Sequence, residues 1–307
     1  MNERLCHTAR AIAFSCFIIA PVVIILISLA GCRKEKTALP APEVISLLGQ
    51  PLYRTPATGE ALTSLEKDLT AAASRFEANP DYPDNIILYG QALSRLWRYH
   101  EAINIYTRGI QAHPDNAMLY RYRGHRYIST REFDRAVSDL ERAAELNDQD
   151  FDIWYHLGLA YYLQAEFERA EKAYSRCREV CRDDGSIIAV SNWLYLTLIR
   201  QGRLEEAAGV LEGITENMDA GENVSYYNLL LFDKGARTEA ELETAAASSD
   251  LDMATTGYGL ACRLLIKGQR ARAAEMLRKI IALPYWPAFG YIAAEVELHR
   301  SKDLINL

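Results

Sequence analysis

Two histidines are the residues of this chain whose chemistry could support catalysis. His125 and His156 could pass a proton between a reactant and water, as paired imidazoles do in general acid–base catalysis. No serine, cysteine or carboxylate stands beside them at a spacing that suggests a triad, and the sequence contains no nucleophile elbow, phosphate loop or zinc-protease helix motif. We therefore interpret both as groove or inter-helix histidines that make ordinary hydrogen bonds, and we predict that the protein is not an enzyme.

Cysteine chemistry is the second possibility. After Cys32, the sequence has only Cys177, Cys181 and Cys262. Cys177 and Cys181 lie one helical turn apart, but a zinc site needs four ligands and no histidine lies close by in sequence. A disulfide between these two would need unusual helix geometry. The sequence therefore predicts no metal site and no cofactor, and Cys177 is interpreted as a small packed residue.

Small and large residues recur along the chain with a period of 34 residues. A repeat of this length is typical of a solenoid, in which each unit buries its apolar face against its neighbours. Four columns keep this step over three units: Gly90, Gly124, Gly158; Ala102, Ala136, Ala170; Tyr99, Phe133, Phe167; and Tyr106, Leu140, Tyr174.

The third unit carries the most specific motif. It reads Trp154-x-x-Leu157-Gly158-x-x-Tyr161, followed by Ala170 and, four residues on, Tyr174. This pattern resembles the tetratricopeptide repeat, whose unit is a pair of antiparallel helices. The resemblance implies an all-α fold: a right-handed solenoid of about six helix-turn-helix units with an N-terminal half-unit and a C-terminal capping helix.

The repeat columns predict where each unit begins and ends. Three units of 34 residues are followed by an insertion at about Gly185–Ile187 and by three weaker units. In these, Gly202, Gly235 and Gly268 and then Ala207, Ala240 and Ala273 take corresponding columns. The predicted solenoid covers residues 60–307, with a half-unit at Glu60–Ala78, units at 83–116, 117–150, 151–184, about 188–220, 221–253 and 254–287, and a cap at 286–299.

Arg123 is unusual because it occupies the column of Leu157, which is normally apolar and inward-facing. An arginine is rarely buried there without a partner. One interpretation is that its head group pairs with a nearby carboxylate, Asp139 being the candidate. The other interpretation is a fixed positive charge at one wall of a groove. If the protein were an enzyme, Arg123 and the two histidines would form its active site.

The resemblance also suggests a binding surface, since the first helices of tetratricopeptide superhelices line a concave groove. Arginines can fork onto carboxylates and tyrosines offer rigid contact area, so we expect a protein or peptide partner that bears acidic groups. The alternative is that these side chains pack between helices or face water. The groove columns hold Gln91, Arg95, Arg121, His125, Tyr155, Tyr162, Asn192, Arg200 and Tyr258. The lysine/asparagine clamp of the chaperone-type members does not occur in the corresponding columns.

The N-terminus has the composition of a secretory leader. Arg4 and Arg10 precede an apolar run over residues 11–29, which ends in Leu29-Ala30-Gly31-Cys32. This tetrapeptide resembles a bacterial lipobox, which implies a signal peptide over residues 1–31 and acylation of Cys32. The alternative is an uncleaved single membrane span, because the run is nearly long enough to cross a bilayer.

The segment after the leader contains four prolines and few strong helix formers. Residues 32–59 are therefore predicted as the lipidated cysteine and a flexible tether, although Val44–Leu48 could dock on the first helix. The resemblance to lipoproteins implies a lipid-anchored protein of the bacterial cell envelope. Arg33 after the cysteine favours the outer membrane, facing the periplasm, over the inner membrane.

Charge excludes one class of partner. The formal net charge is −7, and a leader with two arginines and one glutamate leaves −8 on the rest of the chain. Such a balance argues against nucleic-acid binding.

Phrases such as Arg121–Ile128 and Phe289–Glu295 resemble a group of bacterial tetratricopeptide proteins of no assigned activity. We thus predict a membrane-anchored scaffold that binds proteins or peptides through its groove.

The alternative function is an accessory component of an envelope transport or secretion system that binds a small ligand or an unfolded client. The sequence leaves the identity of the partner and the oligomeric state open.

Overall fold

The computed structural model describes residues 41–305. Within that range, a β-hairpin precedes a series of helices and a 3₁₀ turn at Leu211–Gly213. The strands are β1 (Val44–Ile45) and β2 (Pro51–Leu52); the helices are α1 (Gly59–Ala78), α2 (Pro83–Arg95), α3 (Tyr99–Ala112), α4 (Ala117–Ser129), α5 (Phe133–Leu146), α6 (Phe151–Leu163), α7 (Phe167–Val180), α8 (Asp184–Arg200), α9 (Leu204–Val210), α10 (Val224–Asp233), α11 (Glu239–Ala246), α12 (Asp250–Ile266), α13 (Arg270–Ile281), α14 (Phe289–Arg300) and α15 (Lys302–Ile305).

The helices pack as consecutive pairs. Six pairs are in contact, from α2 with α3 through α12 with α13, and α1 packs on α2 as a half-unit. The predicted all-α solenoid of about six helix pairs is therefore confirmed.

One backbone feature recurs at the turn inside every pair. A single residue there has positive φ, and the N–H that follows it bonds to the carbonyl five residues earlier, as Arg98 does to Leu93 at 3.0 Å and Gln269 to Leu264 at 2.9 Å. This is the Schellman arrangement that satisfies the last carbonyls of a helix. The six residues with positive φ are Trp97 (56°), Arg131 (66°), Ala165 (61°), Gly202 (74°), Gly235 (79°) and Gly268 (72°).

The glycine column of the first three units reflects close helix packing. A Cβ atom at Gly90 would lie 2.3 Å from the ring of Tyr106, and one at Gly158 would lie 2.5 Å from the ring of Tyr174. At Gly124 the nearest side chain is Leu140, at 2.7 Å, so each first helix lies directly against a large side chain of its own second helix. The 34-residue period follows from this contact being repeated.

The weaker repeats differ in detail from the predicted boundaries. Helix α8 begins at Asp184 rather than near residue 188, because the side chain of Asp183 caps it by accepting from Ser186 N at 2.8 Å. In the fifth pair, α11 begins four residues after Gly235 instead of two. Consequently Ala240 is exposed, and Leu242, fully buried, takes the packed position instead.

Part of the predicted flexible tether is a fixed element, so that prediction is wrong for residues 43–54. β1 and β2 pair antiparallel, and Val44 and Leu52 are buried. Three hydrogen bonds hold the hairpin: Leu47 N donates to Glu295 Oε1 (2.6 Å), Trp286 Nε1 donates to the Tyr53 carbonyl (2.7 Å), and His100 N donates to Glu43 Oε1 (2.9 Å). The hairpin thus joins the first repeat to the C-terminal region.

The C-terminal helices lie inside the curve of the solenoid. The residues from Gly290 to Leu298 in α14 are all buried, and α12 packs on α8. Helix α14 follows the last pair as predicted for a cap, but it also contacts the early repeats. Arg131, at the α4–α5 turn, pairs with Glu295 at 2.8 Å, and the indole rings of Trp97 and Trp286 meet edge to face at 5.3 Å. The solenoid therefore closes on its own C-terminus.

The predicted signal peptide, its alternative as a membrane span, and Cys32 all lie outside the described residues. Within residues 41–305, no helix is both long enough and apolar enough to cross a membrane.

Candidate functional site

Closure of the solenoid buries much of the predicted groove. Tyr162 and Tyr258 are each 2% exposed, and their hydroxyl groups contact each other at 2.8 Å across the interior. Burial raises the pKa of both phenols well above the ordinary value. Asn192 is 1% exposed. The prediction that these three side chains face an open groove is wrong, because α12 occupies that space.

Two predicted groove arginines pair with carboxylates of the protein itself, one in the interior and one at the surface. Arg200 forms an ion pair with Glu297 of α14, whose side chain is 4% exposed. Arg95 is exposed and pairs with Asp68 of α1 at 3.2 Å. Gln91 is half-buried. Arg200 therefore offers no free charge to a partner, which removes one of the basic groups on which the prediction of an acidic partner rested, whereas Arg95 stays accessible.

The concave face retains an open cavity of about 840 Å³. It lies between the N-terminal parts of α6, α8, α10 and α12, with α4 on one side and Phe289 of α14 at its inner wall. Three of the nine predicted groove residues line it: Arg121, His125 and Tyr155. In this cavity, the prediction of an open groove is retained for these three residues. We call this space the acidic cavity.

The charge of the acidic cavity is opposite to the prediction. Six carboxylates line it, namely Asp152, Asp183, Asp184, Asp219, Glu222 and Asp252. Arg121 is the one arginine or lysine among the described lining residues, and it pairs with Asp152 at 2.6 Å. The lining is thus net negative and favours a cationic group, because unlike charges attract strongly in a partly enclosed space.

Two carboxylates of the acidic cavity, Asp183 and Asp252, are held in their charged form. Hydrogen bonds from Ser186 lower the pKa of Asp183. Burial opposes ionisation of Asp252, but the hydroxyl groups of Ser225, Ser249 and Ser248 outweigh it and lower its pKa. Sequence reasoning missed these acids, although Asp183 stands at the capping position ahead of a first helix, which is a readable signal.

The two histidines come together as the sequence suggested, but as neutral groups. Their ring centroids lie 4.1 Å apart, and His156 Nδ1 contacts the Asp152 carbonyl at 2.5 Å. Burial lowers the pKa of His156 to about 3, and the positive charge of Arg121 contributes. Burial also lowers the pKa of His125 well below its ordinary value, with Arg126 and His156 adding to the effect. Neither imidazole is therefore tuned for proton transfer near neutral pH.

Arg123 pairs with a carboxylate inside its own helix pair, which was one of the two interpretations of its position in the sequence. Its Nε and Nη2 atoms each donate to a carboxylate oxygen of Asp139 at 2.7 Å, and Nη1 donates to Thr107. Pairing of Arg123 with Asp139 is confirmed. The arginine does not line the acidic cavity.

Cys177 and Cys181 are free thiols. Cys177 is fully buried and its Sγ contacts the Phe151 carbonyl at 3.4 Å, as expected of a small packed residue. Burial strongly raises the pKa of the Cys177 thiol. Among residues 41–305, no group of three or more histidine, cysteine, aspartate or glutamate side chains could hold a metal ion.

Comparison with known proteins identifies the repeat. A family model described as TPR repeat matches residues 124–164, and one described as tetratricopeptide repeat matches residues 151–184. The chain thus carries tetratricopeptide repeats.

Curated relatives match over part of the chain. Anaphase-promoting complex subunit 3 of Schizosaccharomyces pombe is 22% identical over 138 residues, which are 44% of this chain and 21% of the relative. Small glutamine-rich tetratricopeptide repeat-containing protein 2 of Saccharomyces cerevisiae is 35% identical over 88 residues, 29% of this chain and 25% of the relative. The chain spans a quarter or less of these relatives' length.

Some solved structures also match about half of this chain. MamA from Desulfovibrio magneticus RS-1 is 21% identical with a TM-score of 0.43, over 48% of this chain and 82% of that one. Another crystal structure of MamA is 21% identical with a TM-score of 0.44, over 50% of this chain and 87% of the other.

Proposed function

We propose that this protein is a lipid-anchored scaffold of the bacterial cell envelope that binds a segment of a partner protein in the acidic cavity. The observation that carries the proposal is the cavity itself, a space of about 840 Å³ on the concave face that the C-terminal helices leave open. Proteins commonly bind ligands in concave sites that carry a few convergent polar groups.

The chemistry of the cavity supports a basic side chain as the recognised group. Carboxylates at the N-terminal end of α8 and in the loop before α10 line the acidic cavity, and so do the rings of Phe151, Tyr155 and Tyr226. An arginine or lysine of a partner can contact both kinds of group, by ion pairing and by cation–π attraction. This reverses the acidic partner expected from the sequence.

The buried polar groups of the cavity also favour a donor-rich ligand. His156 is 3% exposed, and its Nδ1 contacts a backbone carbonyl, which leaves Nε2 as an acceptor. No hydrogen bond reaches Nε2 from any residue in the range 41–305. An ammonium or guanidinium group supplies the donor that this nitrogen lacks.

Charge-neutralising variants test the binding site. The double variant Asp183→Asn, Asp184→Asn removes two cavity charges, and asparagine at position 183 still caps α8. We expect it to lose capture of envelope proteins at least tenfold in affinity purification with the full chain. The matched control, Glu205→Gln with Glu206→Gln on α9, removes two exposed charges elsewhere and retains capture. Equal capture by both double variants would contradict the proposed site.

The anchor is tested separately through Cys32. An acyl chain contributes about 0.8 kcal/mol per buried methylene, so two or more chains hold a protein at a membrane. We expect Cys32→Ala to abolish incorporation of labelled fatty acid, whereas the control Cys181→Ala retains it. Two results together would show a single membrane span instead of a lipid anchor. The parent protein would take up no fatty acid, and the Cys32→Ala protein would stay in the membrane with an uncleaved leader.

A further inference from the structure

Arg126 of α4 is a partly buried cation for which the fold supplies no counter-charge. Over residues 41–305 it has no carboxylate within 4.0 Å and its guanidinium makes no hydrogen bond. The arginines around it differ: Arg121, Arg123 and Arg131 each have their own carboxylate, in Asp152, Asp139 and Glu295. An uncompensated cation at such a site is costly unless a ligand pairs with it.

The surroundings of Arg126 are aromatic and cationic. Its guanidinium carbon lies 4.9 Å from the ring centroid of Tyr99 on α3. Burial lowers the pKa of Arg126, and the other groups that act on it are Tyr99, Tyr106 and the cation Arg121, none of which is a carboxylate. The side chain is thus held in place by a ring face while its donors remain available.

Arg126 lines a second cavity of about 480 Å³, which we call the arginine cavity. Tyr99 and Tyr285 line it with Arg126, and Trp97 and Pro287 add apolar wall. Burial raises the pKa of Tyr99 to about 12, so its hydroxyl stays protonated and able to donate. Among the described residues no acceptor bonds to that hydroxyl. A cation and a free donor therefore stand together in one space.

The arginine cavity and the acidic cavity share wall residues. His125, Tyr226, Leu251, Thr255 and Phe289 line both. The concave face thus holds one continuous groove that is positive at the α4 end and negative at the α8–α10 end. His125, held neutral by burial, lies between the two.

We propose that Arg126 is the anion subsite of this groove, and that the groove binds an extended partner segment with an acidic residue at Arg126 and a basic residue at Asp183 and Asp184. The inference rests on the proposed function. It adds an anion subsite, the direction in which the partner segment lies, and the distance between its two charged residues. Helices α4, α6 and α8 lie side by side, and packed helices are about 9 Å apart. Arg126 also lies nine residues after Ala117, the start of α4, whereas Asp183 and Asp184 lie at the start of α8, which adds about 14 Å along the helix axis at about 1.5 Å per residue. The two charges are then about 23 Å apart, or roughly seven residues of an extended segment at about 3.3 Å per residue.

Synthetic peptides test the subsite on the purified full chain. The probe is a capped, fluorescein-labelled serine–glycine peptide with one glutamate and one arginine about seven positions apart. Its matched partner has glutamine in place of the glutamate. We expect the glutamate peptide to bind at least tenfold more tightly than the glutamine peptide in fluorescence anisotropy.

The variant Arg126→Met removes the charge and keeps an apolar stem against Tyr99. We expect it to abolish the tenfold preference for glutamate and to leave the affinity for the glutamine peptide within twofold. Thermal unfolding checks the fold: the melting temperature should stay the same or rise, since an unpaired charge has been removed. A preference for glutamate that survives in Arg126→Met overturns the subsite.

The two proposals fail in different ways. If Arg126→Met changes nothing while Asp183→Asn with Asp184→Asn weakens both peptides, the anion subsite is wrong and the acidic cavity stands. If neither set of variants affects either peptide, or neither peptide binds the parent protein, both proposals are wrong.

Discussion

The ion pair between Arg131 and Glu295 shows how single residues hold the closed solenoid. The two side chains are 3% and 1% exposed, and Arg131 also donates to the carbonyls of Ser129 and Trp286. Removing one partner of such a pair leaves a buried charge without compensation, which costs about 3–5 kcal/mol. We predict this loss for Arg131→Met in urea unfolding followed by circular dichroism.

An exposed arginine provides the control. Arg135 pairs with Glu132 at the surface, its own side chain being 65% exposed, and exposed pairs contribute about 0–1 kcal/mol. Arg135→Met should therefore change the free energy of unfolding little. If Arg131→Met cost no more than this control, the buried pair would not be holding the C-terminus in place.

The neutral His156 makes a prediction about pH. Its pKa is about 3 when folded and about 6.5 when unfolded, so below pH 6.5 the unfolded chain takes up a proton that the folded protein does not. The stability from this residue is present above pH 6.5 and is lost as pH falls. At pH 5 the loss is about 2 kcal/mol.

The variant His156→Gln isolates this effect. It lacks the titrating ring, so its free energy of unfolding should fall less than that of the parent protein between pH 7 and pH 5. The comparison is made by urea unfolding at both pH values. An equal fall in both proteins would mean that His156 is not held neutral in the folded state.

Residue roles inside one repeat could be predicted, whereas roles across the solenoid could not. Arg123 and Asp139 belong to the same helix pair, and the repeat columns place them together. Tyr162 and Tyr258 are 96 residues apart in sequence and meet through the closure. No local pattern encodes that contact, which is why the predicted groove is mostly interior.

At the scale of elements, the glycine at the helix-pair contact makes a sharp prediction. Gly158→Ala places a methyl group 2.5 Å from the ring of Tyr174, which is itself fully buried. Overpacking of this kind costs about 1–3 kcal/mol. We predict that loss in urea unfolding.

Gly209 in α9 is the matched control, since a Cβ atom there meets nothing within 4 Å. In a helix, alanine is favoured over glycine by about 0.8–1.0 kcal/mol, so Gly209→Ala should stabilise the protein. Destabilisation of equal size at both positions would show that the repeat glycines are not set by helix contact.

The helices of each pair could be predicted from the sequence more accurately than the contacts between distant segments. The apolar columns and the glycine spacing predict the helix pairs because each pair is stabilised mainly by its nearest neighbours. The hairpin at residues 43–54 was predicted as tether because its prolines and short strands lack a local signal. It is fixed instead by distant partners, Glu295 and Trp286.

At the scale of the whole molecule, closure decides where a partner can bind. The C-terminal helices fill the concave face beside α6 and α8, and the acidic cavity and the arginine cavity remain. Glu295 and Glu297 interrupt the apolar residues of α14 before its polar end at His299 and Arg300. Both glutamates are buried, and buried glutamates need cationic partners. Their partners could not be chosen from the sequence, since arginines are frequent in every repeat.

Site-specific photo-cross-linking in cells tests most directly whether the remaining cavity is the binding site. A photoreactive phenylalanine at Ser186, in the wall of the acidic cavity, is compared with one at Glu205, which is exposed on α9. We predict a discrete protein adduct from position 186 that disappears when Asp183 and Asp184 are both changed to asparagine, and none from position 205. Adducts from position 205 alone, or an adduct at 186 that is unchanged by the two substitutions, would contradict the account.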